Sequence, residues 1–254
     1  MIKMKKLYSV LTVAGLLSVT ACSSSPDEET AIKAQGADAL YQQAKERMEL
    51  GNFNGASETL SQLDSRYPFG PYSHQVQLDL IYVYYKLGKT DQAIATIDRF
   101  TRLNPNHADV DYAYYMRGLV NMDADRNLFQ EMVGIDRSDR DPTHSRDAFN
   151  DFRTLIQKYP ESKYVNDARK RMVYIKSQLA KHELSVARYY MKRAAYVAAA
   201  NRGQYVLDNY SDTPQLKQAL EIMVECYDQL QLDELKQNAL KTLKLNFPDS
   251  DVAG

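Results

Sequence analysis

A phrase that repeats at a fixed period constrains this chain more than any other feature of its sequence. A glycine, an alanine and a proline recur together 37 positions later: Gly51, Ala56 and Pro68, then Gly88, Ala93 and Pro105. A period of this length indicates a small unit that cannot bury its apolar face alone and therefore stacks on its neighbours. Only ten glycines in 254 residues also favour long helices over a barrel or sandwich. We expect an all-α array and no strand.

The repeated phrase matches the tetratricopeptide pattern, in which two antiparallel helices pack through small residues and end in a proline turn. Residues 37–70 then form the first unit and residues 74–107 the second. The second-helix phrase returns at Ala148, 55 positions after Ala93, so the third unit is about 21 residues longer than the 34-residue module. The excess falls in an insertion at residues 123–142.

The fourth unit is less regular. Ala199 and Tyr210 echo Ala148 and Tyr159 at a spacing of 51. Two layouts fit this spacing, because either the first helix of the unit extends back to Val165 or an extra helix precedes it.

A fifth unit ends at Phe247-Pro248, and Lys236 stands where a small residue is expected, as is typical of a terminal capping repeat. The predicted fold is therefore all-α, a tetratricopeptide-repeat superhelix of about five helix-turn-helix units. Its predicted segments are a lipoprotein signal peptide at 1–21, a lipidated tether at 22–36, N-terminal repeats 1–3 at 37–160 and C-terminal repeats 4–5 at 161–254.

The first 21 residues have the composition of a secretory signal: lysines come first, then an apolar run from Leu7 to Val19 that is short for a membrane span. The tetrapeptide Val19-Thr20-Ala21-Cys22 resembles a bacterial lipobox, which implies that Cys22 is the acylated first residue of the mature chain. Several acyl chains on one residue give stable membrane anchoring. Because serines rather than an aspartate follow Cys22, the same resemblance implies the periplasmic face of the outer membrane.

Charge and residue spacing argue against several other functions. The formal net charge is -1, whereas nucleic-acid binding requires a basic face. The four histidines are scattered, with no cysteine or carboxylate at metal-ligand spacing, and no serine has the glycine elbow of a hydrolase. We therefore expect no catalytic residue, metal, cofactor or small-molecule substrate. An envelope enzyme whose site is assembled from distant residues stays open as an alternative.

The connector at residues 66–73 contains two prolines and a glycine, so it cannot continue a helix. It also contains Tyr67, Phe69 and Tyr72, although connectors are normally polar and solvated. These rings either complete the local core or are presented to a partner, and the sequence leaves both interpretations open.

The first helix of each tetratricopeptide unit is expected to line the concave face, with an inward stripe at spacings of three and four. In the first three units this stripe is rich in tyrosine. A helical aromatic stripe is more often core than site, so packing and peptide binding both stay open. The candidate peptide-binding residues are Tyr41, Phe69, Tyr72, Leu78, Tyr82, Tyr85, Tyr112 and Tyr115.

Three phrases are more specific than the repeat pattern: RYPFGPYS with QVQLDLIYVYYK after it, MRGLVNM, and GIDRSDRDP. Together with the lipobox they closely resemble the BamD family, the lipoprotein component of the outer-membrane β-barrel assembly (BAM) machinery, over residues 22–248. The resemblance implies a non-enzymatic scaffold whose N-terminal repeats receive the C-terminal signal of unfolded outer-membrane β-barrel proteins. It also implies that the C-terminal repeats dock on BamA, alongside other BAM lipoproteins.

Two places are candidates for partner docking. The insertion alternates in charge sign, which suits either a solvated loop or a docking element. In the fourth unit Asn201-Arg202-Gly203 interrupts an apolar sequence, either as an interface anchor or as a solvated arginine. The docking candidates are Asp136, Arg137, Asp139, Arg140 and Arg202. An alternative function, a periplasmic repeat lipoprotein that coordinates peptidoglycan synthesis or envelope constriction, would lack the aromatic connector and this insertion.

Overall fold

The computed structural model describes residues 36–124 and 142–253. Within these ranges the chain forms ten α-helices and no strand, which confirms the predicted all-α class. The helices are α1 Ala37–Glu49, α2 Phe53–Arg66, α3 Ser73–Lys86, α4 Thr90–Leu103, α5 Val110–Ala124, α6 Thr143–Lys158, α7 Val165–Lys192, α8 Tyr196–Asn209, α9 Leu216–Gln229 and α10 Asp233–Asn246, and a 3-10 turn follows at Asp251–Ala253.

Consecutive helices pair into five helix-turn-helix units, as the tetratricopeptide pattern predicts, and each unit packs on the next. Nine of the described helices have 13 to 16 residues, whereas α7 has 28. The irregular fourth unit is therefore explained by one extended first helix that begins at Val165, and not by an extra helix.

The recurring glycine serves the turn inside a unit. Gly51 and Gly88 follow α1 and α3 with φ angles of 73° and 66°, in the left-handed region that glycine adopts without strain. In the fourth and fifth units Ala194 and Gln231 stand at the equivalent place, with φ angles of 56° and 57°. The turn geometry therefore continues after the glycine has disappeared from the sequence, at the cost of strain in two L residues.

Small residues let the second helix of a unit approach the first. Four alanines at this position are fully buried: Ala56, Ala93, Ala148 and Ala199. Lys236 occupies the equivalent position in α10, where its half-exposed side chain pairs with Asp228. The last helix buries only Ala239 and Leu243, which agrees with the prediction of a capping repeat.

The buried apolar residues form three clusters along the stack. The first lies around Leu40 and Leu60, the largest around Phe100 and Phe152, and the third around Leu243. A Cβ added at Gly118 would lie 2.5 Å from the Phe152 ring, so this glycine permits close contact between α5 and α6. Among the described helices, none combines the length and apolar character needed to cross a bilayer.

Candidate peptide-binding groove

The first helices of the first three units carry a row of half-buried tyrosines. At its N-terminal end, the Tyr41 ring stacks on Tyr72 of the aromatic connector, with centroids 4.5 Å apart and an angle of 18° between the planes. The Tyr41 hydroxyl donates a hydrogen bond to Oδ2 of Asp79 on α3 at 3.1 Å. Gln75 Nε2 donates to the other oxygen of this carboxylate at 2.9 Å. The connector, α1 and α3 are thus joined through one carboxylate and two stacked rings.

The middle of the row is formed by Tyr82. Its ring meets Phe53 of α2 edge to face at 6.0 Å, and the Lys86 ammonium lies 6.0 Å from the Tyr82 centroid and 5.6 Å from that of Phe53. A cation at this distance from two rings is held by their quadrupoles. Tyr82 is therefore held by its contact with Phe53 of α2 and remains half-exposed.

At the other end, Tyr115 of α5 reaches across to the start of α7. Its ring stacks on Tyr164, with centroids 4.5 Å apart and planes within 12°, and its hydroxyl donates to Asp167 Oδ2 at 2.6 Å. Arg171 pairs with the same carboxylate oxygen. Although burial alone would raise it, the hydrogen bonds from Tyr115 and Arg171 lower the pKa of Asp167, which keeps this carboxylate charged.

Tyr112 lies between the two ends. Its ring is 5.9 Å from Tyr164, and burial raises the pKa of its hydroxyl, with further increases from Tyr164, Asp79 and Tyr82. Burial also raises the pKa of Asp79, against the opposing effect of its hydrogen bonds from Gln75 and Tyr41. The two carboxylates and the rings therefore form one connected surface, the tyrosine groove, made of Tyr41, Tyr72, Tyr82, Tyr112, Tyr115, Tyr164, Asp79 and Asp167.

The chemistry of the tyrosine groove follows from these contacts. The hydroxyls of Tyr41 and Tyr115 already donate hydrogen bonds to Asp79 and Asp167, so these rings are fixed in orientation and offer their faces and edges. Each carboxylate retains lone pairs that can accept further hydrogen bonds. A ligand that matches this surface is an extended segment with aromatic or apolar side chains and backbone N–H donors.

Three predicted residues stand apart from this surface. Leu78 is only 5% exposed and belongs to the central core cluster, so its proposed contact with a peptide is corrected to a packing role. Tyr85 is half-buried and packs against the same cluster, as Tyr112 and Tyr115 also do, and its contact with a peptide stays a prediction. Phe69 is 97% exposed and makes no ring contact with the described residues, whereas its neighbours Tyr67 and Tyr72 pack down onto the first units. Two rings of the connector therefore complete the local packing, and the presentation of Phe69 to a partner stays a prediction.

Sequence reasoning missed Tyr164, Asp79 and Asp167. The i, i+3 spacing of Tyr164 and Asp167 at the start of α7 continues the stripe of the earlier first helices, and this signal was available. Asp79 shares the face of Tyr82 at the same spacing. The sequence did not indicate which tyrosine hydroxyl each carboxylate binds, because the two partners are 38 and 52 positions apart in the chain.

The sequence matches the YfiO family profile, described as outer membrane lipoprotein, over residues 33–243. The chain is 44% identical over 238 residues to the outer membrane protein assembly factor BamD of Vibrio cholerae, covering 92% of this chain and 98% of that one. It is 39% identical over 248 residues to the same factor of Neisseria meningitidis serogroup B, covering 97% and 93%. The chain belongs to the BamD family. The predicted family and outer-membrane association are thereby confirmed.

Among solved structures, a tetratricopeptide repeat protein from Parabacteroides merdae overlaps with this BamD family member at a TM-score of 0.36 and 13% identity. That overlap covers 82% of this chain and 78% of the other.

Arg202 of this BamD family member is tied to a buried carboxylate. Its Nη1 donates to Oε2 of Glu183 on α7 at 2.9 Å, and Arg146 Nη2 lies 3.5 Å from Oε1. Glu183 is 2% exposed, whereas 41% of the Arg202 side chain remains exposed. The arginine therefore balances a buried charge, and its docking to a partner stays a prediction. Gly203 lets α9 approach, since a Cβ there would lie 2.7 Å from Met223.

The C-terminal half has a second concave site that the sequence did not indicate. A cavity of about 740 Å³ between α7, α9 and α10, here named the C-terminal groove, has an apolar lining that includes Met191, Ile222 and Leu240. Arg188 and Glu225 also line it. Within the described part of the chain Arg188 has no ion-pair or hydrogen-bond partner. Glu221, Asp228 and Lys236 complete the charged part of the lining, so the groove combines an apolar floor with charges of both signs.

Several predicted residues lie outside the described ranges. They are the lipidation candidate Cys22 and the insertion residues Asp136, Arg137, Asp139 and Arg140. Their predicted roles stay predictions. Within the described ranges no group of three or more His, Cys, Asp and Glu side chains is arranged to hold a metal ion.

Proposed function

We propose that this BamD family member is a non-enzymatic scaffold that assists the assembly of outer membrane β-barrel proteins and works from the periplasmic face of the outer membrane. Its relatives carry the name outer membrane protein assembly factor, so the predicted role in barrel assembly is confirmed at the level of the family. The alternative role in peptidoglycan synthesis or envelope constriction is not favoured. Lipidation of Cys22 and the absence of catalysis belong to the proposal.

The substrate that the tyrosine groove fits is the C-terminal strand of an unfolded barrel protein. Such a strand is extended and places apolar and aromatic side chains on alternate sides. The observation that supports this choice is the row of rings from Tyr41 to Tyr164, in which the hydroxyls of Tyr41 and Tyr115 are held by Asp79 and Asp167. Each ring contact contributes about 0.5–1.5 kcal/mol beyond area burial. A few such contacts give weak, reversible binding, as a site that must release its substrate requires.

The partners proposed for the other half are BamA and other lipoproteins of the BAM machinery. The C-terminal groove offers an apolar floor bordered by charged side chains of both signs, Arg188 among them, which suits a folded protein partner. Arg202 and the charged insertion remain further candidates for this contact. No small-molecule substrate, cofactor or nucleic acid is part of the proposed function.

The test is peptide binding to paired variants. A labelled peptide with the last residues of a barrel protein is titrated with the Tyr82→Ala, Tyr112→Ala double variant and with Tyr205→Ala, a control on an exposed tyrosine of α8. We expect the double variant to weaken binding at least tenfold, because about 1.4 kcal/mol of ring contact is lost. The control should bind like the parent protein. Equal affinities, with helix content unchanged by circular dichroism, would remove the groove from the mechanism.

A photo-crosslinker at position 82 in living cells provides the second measurement, with the captured protein identified by mass spectrometry. Nascent barrel proteins are the expected capture. Capture of BamA instead would assign the tyrosine groove to docking.

A further inference from the structure

The five connectors that leave the second helices make the same turn. In each, an amide donates back to the carbonyl three residues earlier at 3.0–3.1 Å: Gly70 to Tyr67, His107 to Asn104, Ser162 to Tyr159, Thr213 to Tyr210 and Ser250 to Phe247. The third residue of the turn is exposed in every unit. In four units it is polar: Asn106, Glu161, Asp212 and Asp249. In the first unit it is Phe69, so the turn itself does not require an aromatic ring.

The connector holds the Phe69 ring outward on a rigid base. Pro68 and Pro71 fix two φ angles on either side of it. Beneath the turn, Tyr67 packs against the first core cluster and Tyr72 stacks on Tyr41. A ring held in this way loses little conformational freedom when it moves from water into apolar surroundings. Phe69 therefore has the properties of an anchor.

The position of this connector indicates which surroundings the Phe69 ring faces. Ala37, the first residue of α1, lines one crevice together with Tyr67, Gly70 and Tyr72. The chain that leads back to Cys22 therefore departs from the end of the molecule that carries Phe69. Gly36 lies 14 positions after Cys22, which limits this end to about 50 Å from the residue proposed to be lipidated. The family is described as outer membrane lipoprotein, and with Cys22 as the proposed anchor this end of the repeat array lies within reach of the bilayer.

We propose that Phe69 enters the interfacial region of the outer membrane and forms a second membrane contact beside the lipid anchor. Phe, Trp and Leu are the side chains that surface-bound proteins bury at the boundary between headgroups and acyl chains. The exposed Arg66, whose guanidinium lies 5.5 Å from the Tyr67 centroid, adds attraction to anionic headgroups. Two contacts fix the orientation of a repeat array against the bilayer, whereas a single lipid anchor does not. The proposal rests on the lipid anchor of the proposed function and not on peptide binding in the tyrosine groove.

The chain contains no tryptophan, so a single indole can report on this contact. The full-length acylated protein with Phe69→Trp is reconstituted in vesicles of phosphatidylethanolamine and phosphatidylglycerol. The matched control is Leu50→Trp, because Leu50 is 77% exposed at the opposite end of α1, about 20 Å along the helix axis. We expect the indole at position 69 to emit at shorter wavelength in vesicles and to lose most of its intensity when the acyl chains are brominated. The indole at position 50 should show neither change.

Two results would overturn the proposal. One is equal quenching of both variants, or none in either. The other is a change at position 69 that appears only when a barrel-derived peptide is added, which would assign Phe69 to substrate. Peptide affinity measured on the same vesicles reports separately on the tyrosine groove, so failure of the membrane contact and failure of the proposed function are distinguishable.

Discussion

The two concave sites of this chain use the same scaffold in opposite ways. In the tyrosine groove the two carboxylates already have partners within the protein. Asp79 and Asp167 accept hydrogen bonds from tyrosine hydroxyls and thereby fix the orientation of the rings. In the C-terminal groove the floor is aliphatic and the cation Arg188 has no partner in the described structure. A ligand of the tyrosine groove would meet rings of fixed orientation, whereas a ligand of the C-terminal groove would meet aliphatic side chains beside charges of both signs. The repeat fold thus presents two chemically different surfaces in one stack.

Two arginines of the C-terminal half allow a loss of stability to be distinguished from a loss of partner docking. The largest effect is expected for the first of them, Arg202. Arg202→Ala leaves the buried Glu183 with only the longer contact to Arg146. We expect the free energy of unfolding to fall by about 2 kcal/mol, less than for a fully buried pair because Arg202 is partly exposed. Chemical denaturation measures this loss.

Arg188→Ala is the matched control, because it removes an arginine that has no ion pair in the described residues. Its free energy of unfolding should stay within about 0.5 kcal/mol of the parent value. Its binding to purified BamA should weaken if the C-terminal groove is the surface on which BamA docks. A stable Arg202→Ala variant would instead show that Glu183 is satisfied without it.

A second prediction concerns pH and the N-terminal half. Burial, with smaller contributions from Asp147 and Asp98, raises the pKa of Asp151 from 3.8 to about 6, despite its contacts with Asn121 and Arg117. The folded state thus binds this proton more tightly than the unfolded state. The stabilisation is fully present below about pH 4 and is lost as the pH rises through 6.

We expect Asp151→Asn to remove this dependence, so that the unfolding midpoint in urea changes less between pH 4 and pH 7 than in the parent protein. Asp249→Asn, which changes an exposed carboxylate in the last unit, should leave the dependence intact. Parallel pH profiles for the parent and Asp151→Asn would exclude Asp151 as its source.

The smallest effect is expected at the turns inside the units, where the two halves differ in their choice of residue. Ala194→Gly and Gln231→Gly relieve a positive φ and should each stabilise the protein by about 0.5–1 kcal/mol. Gly51→Ala and Gly88→Ala should destabilise it by a similar amount. Thermal melts of the four variants test the contrast, and shifts of the same sign in both halves would contradict it.

The period of the repeat was sufficient to predict the helix pairs, because small residues and proline turns act locally on the chain. The same local signals ended at the fourth unit, where only the structure distinguishes one long helix from two. The tyrosine stripe predicted which rings share a face. It did not predict that Leu78 is core or that Phe69 stands alone, because burial depends on the neighbouring units. The Glu183–Arg202 pair was invisible for the same reason, since its members belong to different helices.

The long helix α7 has a mechanical consequence. Asp167 of the tyrosine groove and Arg188 of the C-terminal groove lie on this one helix, 21 residues or about 32 Å apart along its axis. It contains no glycine or proline at which it could fold like a hinge. Its first and last turns therefore keep a fixed separation, so the length of this helix sets the distance between the two surfaces.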